Sequence, residues 1–117
     1  MEKICIVDDY DINLFVLKEY LKDKYEIISF NKAKNCIDYL KNNKVKVVLM
    51  DCIMPIMDGY EATEIIKKDL KDVKIIGITA NPFEDNIEKC KKSGMDNVVT
   101  KPIIIKDLLE KIEKIAN

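Results

Sequence analysis

The sequence predicts an α/β domain with a five-stranded parallel sheet, on three observations. Apolar runs of strand length alternate with segments of helical period, the signature of repeated βα units. The 117 residues suit one domain with an ordinary core, and 48% apolar with 35% charged residues is a globular composition. Charged residues stand where apolar runs end: Asp8 and Asp9 after Ile4-Cys5-Ile6-Val7, Asp51 after Val47-Val48-Leu49-Met50, and Lys101 after Val98-Val99-Thr100.

The first strand reads Lys3 to Val7, and the helix after it is expected to turn Ile12, Phe15, Val16 and Leu21 inward. Tyr25 to Phe30 forms the second strand, with Ala33, Cys36, Ile37 and Leu40 on the following helix. Val45 to Met50 is the third, and Asp58-Gly59 is a turn into a helix lined by Ala62, Ile65, Ile66 and Leu70. Lys74 to Thr79 is the fourth; Ile87 and Cys90 mark a shorter helix, closed by Gly94 as its cap after Lys91-Lys92-Ser93. Asn97 to Thr100 is the fifth, and Leu108, Leu109, Ile112 and Ile115 line a last helix that runs to the chain end. There is no internal repeat, low-complexity stretch or linker, so residues 1–117 are expected to form one domain.

Composition removes several function classes. All twenty basic residues are Lys, and the net charge of -1 offers no general attraction to nucleic acid or to an anionic membrane. Without His the chain holds no Ser-His or Cys-His pair, no histidine metal ligand and no phosphohistidine carrier; without Arg it holds no internal arginine finger. Cys5, Cys36, Cys52 and Cys90 form no C-x-x-C pair and are expected to be reduced and mostly buried. No apolar run approaches the roughly 20 residues of a membrane span, and Met1-Glu2-Lys3 leads directly into a strand; a cytoplasmic location is expected.

Open parallel sheets collect their chemistry at the carboxyl ends of the strands, in the crevice where strand order reverses. In the flavodoxin-like doubly wound order 2-1-3-4-5, strands one and three are neighbours, which would bring Asp8, Asp9 and Asp51 together. Singly, each acid reads as a helix cap or dipole partner. Together they repel unless a cation joins them, and Mg²⁺, a hard ion that takes carboxylates, waters and phosphate oxygens, suits that position. Lys101, beside Pro102 rather than on an open surface, adds a fixed positive charge able to pair with Asp51 or with a phosphoryl oxygen. Thr79-Ala80 at the end of strand four offers a hydroxyl and an approachable backbone N–H, although Thr is common in strands for propensity alone.

These residues, with Met50-Asp51-Cys52-Ile53-Met54-Pro55-Ile56-Met57-Asp58-Gly59, Ile78-Thr79-Ala80-Asn81, Gly94-Met95-Asp96 and Val99-Thr100-Lys101-Pro102-Ile103, resemble the receiver domain of two-component response regulators over essentially the whole chain. Asn13, and Phe83-Glu84-Asp85 after Asn81-Pro82, make it similar to the receivers of hybrid sensor kinases. The resemblance implies that Asp51 accepts a phosphoryl group from a phosphohistidine on a sensor histidine kinase or histidine phosphotransfer protein. It implies further that Asp9, Asp51 and the Ile53 carbonyl ligate Mg²⁺, with Asp8 acting through a water. Lys101, Thr79 and Ala80 would hold the phosphoryl group, and Lys101-Pro102 would be a cis peptide. The chain would then be a phosphoacceptor switch or relay rather than a turnover enzyme, with a downstream protein the sequence does not name.

The sequence also departs from that pattern. Val98 stands three residues before the lysine, where receivers usually carry an aromatic that turns inward after the threonine. Ile53 and Asn81 are expected to flank the path of a hydrolytic water. In Ile103-Ile104-Ile105 at least one residue is expected in the core. A phosphatase of the haloacid dehalogenase type would need D-x-D, but Cys52-Ile53 follows Asp51; a flavin site would need a Ser/Thr/Gly-rich loop after strand one; and a GTPase would need G-x-x-x-x-G-K-[ST], which is missing.

Overall fold

The computed structural model describes residues 1–116. Its elements are β1 (Lys3–Val7), α1 (Asp11–Leu21), β2 (Glu26–Phe30), α2 (Ala33–Leu40), β3 (Val47–Asp51), α3 (Gly59–Asp69), β4 (Lys74–Thr79), α4 (Glu84–Ser93), β5 (Asn97–Thr100) and α5 (Ile105–Ala116). The expected run of α5 to Asn117 lies outside the described residues. The strands are parallel in the order β2-β1-β3-β4-β5, the predicted flavodoxin-like arrangement.

Because successive strand residues face opposite sides, the uninterrupted apolar strands feed two cores. Cys5, Val7, Val48, Met50 and Ile75 pack with Ala33 and Cys36 of α2, Ala62 and Ile66 of α3 and Cys90 of α4. Ile4, Ile6, Val47, Leu49, Ile76 and Ile78 pack with Leu14, Leu17 and Leu21 of α1 and Leu108 and Ile112 of α5. All four cysteines are buried and free, with the Cys52 and Cys90 sulfurs 3.7 Å apart. Gly94 caps α4 at φ 110°. Asp58 caps α3 through an Oδ1 that accepts the Glu61 N–H at 2.9 Å.

Several details differ from expectation. β2 begins at Glu26 rather than Tyr25, and β3 runs Val47–Asp51, so Asp51 is itself the last strand residue. On α1 three of the four residues expected inward face out: Ile12, Phe15 and Val16 are 65%, 66% and 43% exposed, whereas Leu21 is buried as expected. The helix carries two apolar stripes, and the one spaced i, i+3, i+7 through Leu14, Leu17 and Leu21 meets the sheet. On α3, Ile65 is turned outward while Thr63 is buried. Ile103 and Ile105 pack half-buried against the α1/α5 core, and Ile104 stays exposed.

Candidate functional site

The register that pairs β1 with β3 sets their carboxyl ends side by side, Val7 opposite Met50. The residues that follow, Asp8 and Asp9 on one side and Asp51 on the other, offer carboxylate oxygens that lie within 4.8 Å of one another. Asp8 and Asp51 are buried, 4% and 6% exposed, while Asp9 reaches solvent. The Asp8 oxygens are oriented from α1: Oδ1 accepts the Tyr10 N–H at 2.9 Å and Oδ2 accepts from Asn13 Nδ2 at 3.1 Å. Asp51 Oδ1 accepts only a long bond, 3.3 Å, from the Ile53 N–H. Lys101 Nζ stands 3.8 Å from Asp51 Oδ2, an ion pair without hydrogen-bond contact. The Lys101-Pro102 peptide is cis, as expected.

Asp8, Asp9, Tyr10, Asn13, Asp51, Ile53, Ala80 and Lys101 enclose a cleft of about 260 Å³. The strand-end residues singled out in the sequence therefore converge, with one exception. Thr79 is 2% exposed and does not line the cleft. Its hydroxyl is engaged on the α4 side by the Asn81 N–H and by Asn86 Nδ2, both at 3.0 Å. Asn86, and Tyr60 behind it, were not marked by any sequence pattern, because an amide in the first turn of a helix and a tyrosine after a turn glycine are ordinary there.

Three carboxylates against one loosely paired ammonium leave negative charge crowded in a partly dry place. Burial first and the neighbouring Asp8 second raise the Asp51 pKa to about 6, against the pull of Lys101 and of the Ile53 N–H. A folded-state value above the unfolded one favours the fold at low pH, and that advantage is lost as pH rises from the ordinary carboxylate range through about 6. Without divalent metal, Asp51→Asn is thus expected to be the more stable protein at pH 7, by on the order of 2 kcal/mol, with the gain vanishing near pH 4. Urea melts of both proteins at the two pH values test it; a gain independent of pH would refute the electrostatic origin.

The donor set fits Mg²⁺. Ligand oxygens lie at 2.0–2.1 Å from that ion, so any two on one Mg²⁺ are within about 4.2 Å of each other. The three carboxylates, within 4.8 Å of one another, approach that spacing. All are hard oxygen donors, and soft thiol ligands are absent from the cleft lining.

Comparison with known proteins agrees with the geometry. The family profile described as response regulator receiver domain matches residues 4–113. Sensor histidine kinase RcsC of Escherichia coli K12 is 34% identical over 103 residues, 87% of this chain and 11% of that protein. Heme response regulator HssR of Staphylococcus haemolyticus is 34% identical over 116 residues, 98% of this chain and 51% of that protein. The chain thus spans about a tenth of the kinase and about half of the regulator. The receiver domain of sensor histidine kinase PA1611 of Pseudomonas aeruginosa, solved with magnesium coordinated in its active-site cleft, superposes with TM-score 0.90 at 26% identity, covering 98% of this chain and 97% of that one. The receiver domain of Saccharomyces cerevisiae Ssk1, solved with the phosphotransfer protein Ypd1, shares the fold with TM-score 0.93 at 23% identity, covering 98% of this chain and 88% of that one.

Proposed function

The chain belongs to the response regulator receiver domain family of two-component signalling, and from that premise we propose that Asp51 is its phosphoacceptor. The observation that carries this reading is the placement of Asp51 at the end of β3, beside Asp8 and Asp9 and facing a cleft that Lys101 and Ala80 complete. One Asp51 carboxylate oxygen attacks the phosphorus of a phosphohistidine borne outside this sequence. An O–P bond forms, the N–P bond breaks, and its electron pair returns to the departing imidazole, which takes up a proton. The donor histidine lies outside these 117 residues, which contain none.

Transfer of this kind needs positioning and charge neutralisation more than covalent help. Asp9, Asp51 and the Ile53 carbonyl would hold Mg²⁺, with Asp8 acting through a water, and the ion would neutralise phosphoryl oxygens. Lys101, loosely paired with Asp51 at rest, is free to move onto a phosphoryl oxygen. The Ala80 N–H and the Thr79 hydroxyl hold the others. The chain is then a phosphoacceptor switch or relay rather than a turnover enzyme.

The donor is a sensor histidine kinase or a histidine phosphotransfer protein. Its docking is supported by exposed apolar side chains: Tyr10 and Ile53 line the cleft, and Ile12 and Phe15 on α1 and Ile104 after Lys101-Pro102 are, like them, more than half exposed. Among the described residues no helix is long and apolar enough to cross a membrane, in keeping with a cytoplasmic site of action. Intact-mass analysis after incubation with acetyl phosphate and Mg²⁺ tests the reading: a single phosphoryl adduct is expected, and none would overturn it.

Ile53 bears on how long that adduct lasts. It lines the cleft with its side chain 70% exposed, so it covers the mouth through which a hydrolytic water enters. Ile53→Asn, which offers that water a polar partner, is expected to shorten the acyl-phosphate half-life several-fold. An equal or longer half-life in a time course of adduct loss would count against the shielding role.

A further inference from the structure

Thr79 Oγ1 accepts two hydrogen bonds, from the Asn81 N–H and from Asn86 Nδ2. The sense of the Asn86 amide is fixed, because Nδ2 also donates at 2.9 Å to the Asn81 carbonyl, an atom that can only accept. Asn86 Oδ1 therefore points the other way, where it accepts from the Tyr60 hydroxyl. The polarity runs in one direction, from Tyr60 through Asn86 to Thr79. A hydroxyl has two lone pairs and one proton, and with both pairs occupied the Thr79 proton is left to donate.

The far end of the chain is held as firmly. Tyr60, on α3, is 6% exposed and packs in the core that contains Cys52 and Cys90. The Lys89 ammonium of α4 lies 4.3 Å from its ring centroid, a cation–π distance. Burial raises the Tyr60 pKa above its ordinary value, so the phenol stays protonated and remains a donor. Val98, on β5 next to β4, offers no ring that could respond to Thr79, whereas Asn86 of α4 hydrogen-bonds Thr79 directly and Tyr60 of α3 reaches it through Asn86.

We infer that Asn86 and Tyr60 are positioning residues which present Thr79 as a hydrogen-bond donor to the phosphoryl group on Asp51 and tie that bond to the packing of α3 against α4. The inference rests on Asp51 being the phosphoacceptor. It specifies how the threonine is set and where its movement is felt: at the first turn of α4 through Asn86, and at the start of α3 through Tyr60.

Binding of beryllofluoride with Mg²⁺, followed by backbone amide resonances, tests it. The proteins are the wild type, Tyr60→Phe, Asn86→Ala and Asn86→Asp, with the Asn86 substitutions repeated in a Thr79→Val background. Asp has nearly the shape of Asn but only accepts, so it captures the Thr79 proton that the ligand needs. A neutral hydrogen bond is worth about 1 kcal/mol and one to a charged group about 1.5–3 kcal/mol. The expected losses of affinity are therefore about 5-fold for Tyr60→Phe, about 10-fold for Asn86→Ala and about 100-fold for Asn86→Asp. In the Thr79→Val background the gap between Asp and Ala should shrink to the few-fold effect of added charge, and in the wild type amide shifts should extend into α3 and α4. Equal losses for Ala and Asp, or an undiminished gap without the Thr79 hydroxyl, would overturn the inference while leaving the phosphoacceptor in place. Wild type that fails to bind beryllofluoride would overturn both. Tyr60→Phe keeps the ring and its packing, so an unchanged affinity there, in a folded protein, is also a refutation.

Discussion

Asp51→Asn is expected to take no phosphoryl group from acetyl phosphate, and the wild type none in excess EDTA. The amide lacks the anionic oxygen that attacks phosphorus, and neither remaining acid replaces it. Both Asp8 oxygens are occupied by the Tyr10 N–H and by Asn13 Nδ2, and Asp9 stands exposed at the rim. Intact-mass analysis over a time course gives the answer. A stable adduct on Asp51→Asn would mean that another side chain is the acceptor, and full labelling in EDTA would mean that the acidic cluster works without a metal.

Gly59→Ala is expected to cost about 3 kcal/mol or more in stability, from a single methyl group. An added Cβ would sit 2.2 Å from the Asp51 carbonyl oxygen and 2.8 Å from the Cys52 Cα. Both are backbone atoms, and the Gly59 N–H is already bonded to the Cys52 carbonyl at 2.9 Å. Relief requires the start of α3 to move off the end of β3, which displaces Asp51 with it. The same protein should therefore bind beryllofluoride weakly even where it remains folded. Gly94→Ala provides the contrast: there the constraint is a φ of 110°, and the nearest atom to an added Cβ is Lys67 Cγ at 3.1 Å, in a flexible side chain. Chemical denaturation of both proteins distinguishes the two causes, and a loss below about 1 kcal/mol for Gly59→Ala would refute the close approach.

What the sequence made legible follows from where the information is stored. Strands β1, β3 and β4 are buried on both faces, so their residues read as unbroken apolar runs, and the charges at their ends mark the edge of the sheet. The acidic cluster was foreseen for that reason: parallel pairing alone brings Asp8, Asp9 and Asp51 together. The inner face of α1 was not legible, because Ile12, Phe15 and Val16 form as good a stripe as Leu14, Leu17 and Leu21, and only the angle at which the helix leaves β1 chooses between them. The Tyr60–Asn86–Thr79 chain was not legible either. Its meaning lies in which atom donates to which, across three elements, and no spacing in the sequence encodes that. Ile103, Ile104 and Ile105 fall between: a turn entering a helix buries the first and third partly and leaves the middle one outside, a choice composition does not make.

Both described ends of the chain emerge at the amino-terminal end of the strands. β1 begins there, with Met1 and Glu2 beside Asn42, Lys44 and Lys46, and α5, running back against the strands, ends there with Ile115 and Ala116 near Lys44 and Lys74. The cleft opens at the carboxyl end of the strands. A polypeptide joined to either end would be anchored away from Asp51. For a donor tethered in this way, the length and stiffness of the tether would set its effective concentration at the cleft, so delivery could be made faster or slower without altering a residue of the pocket.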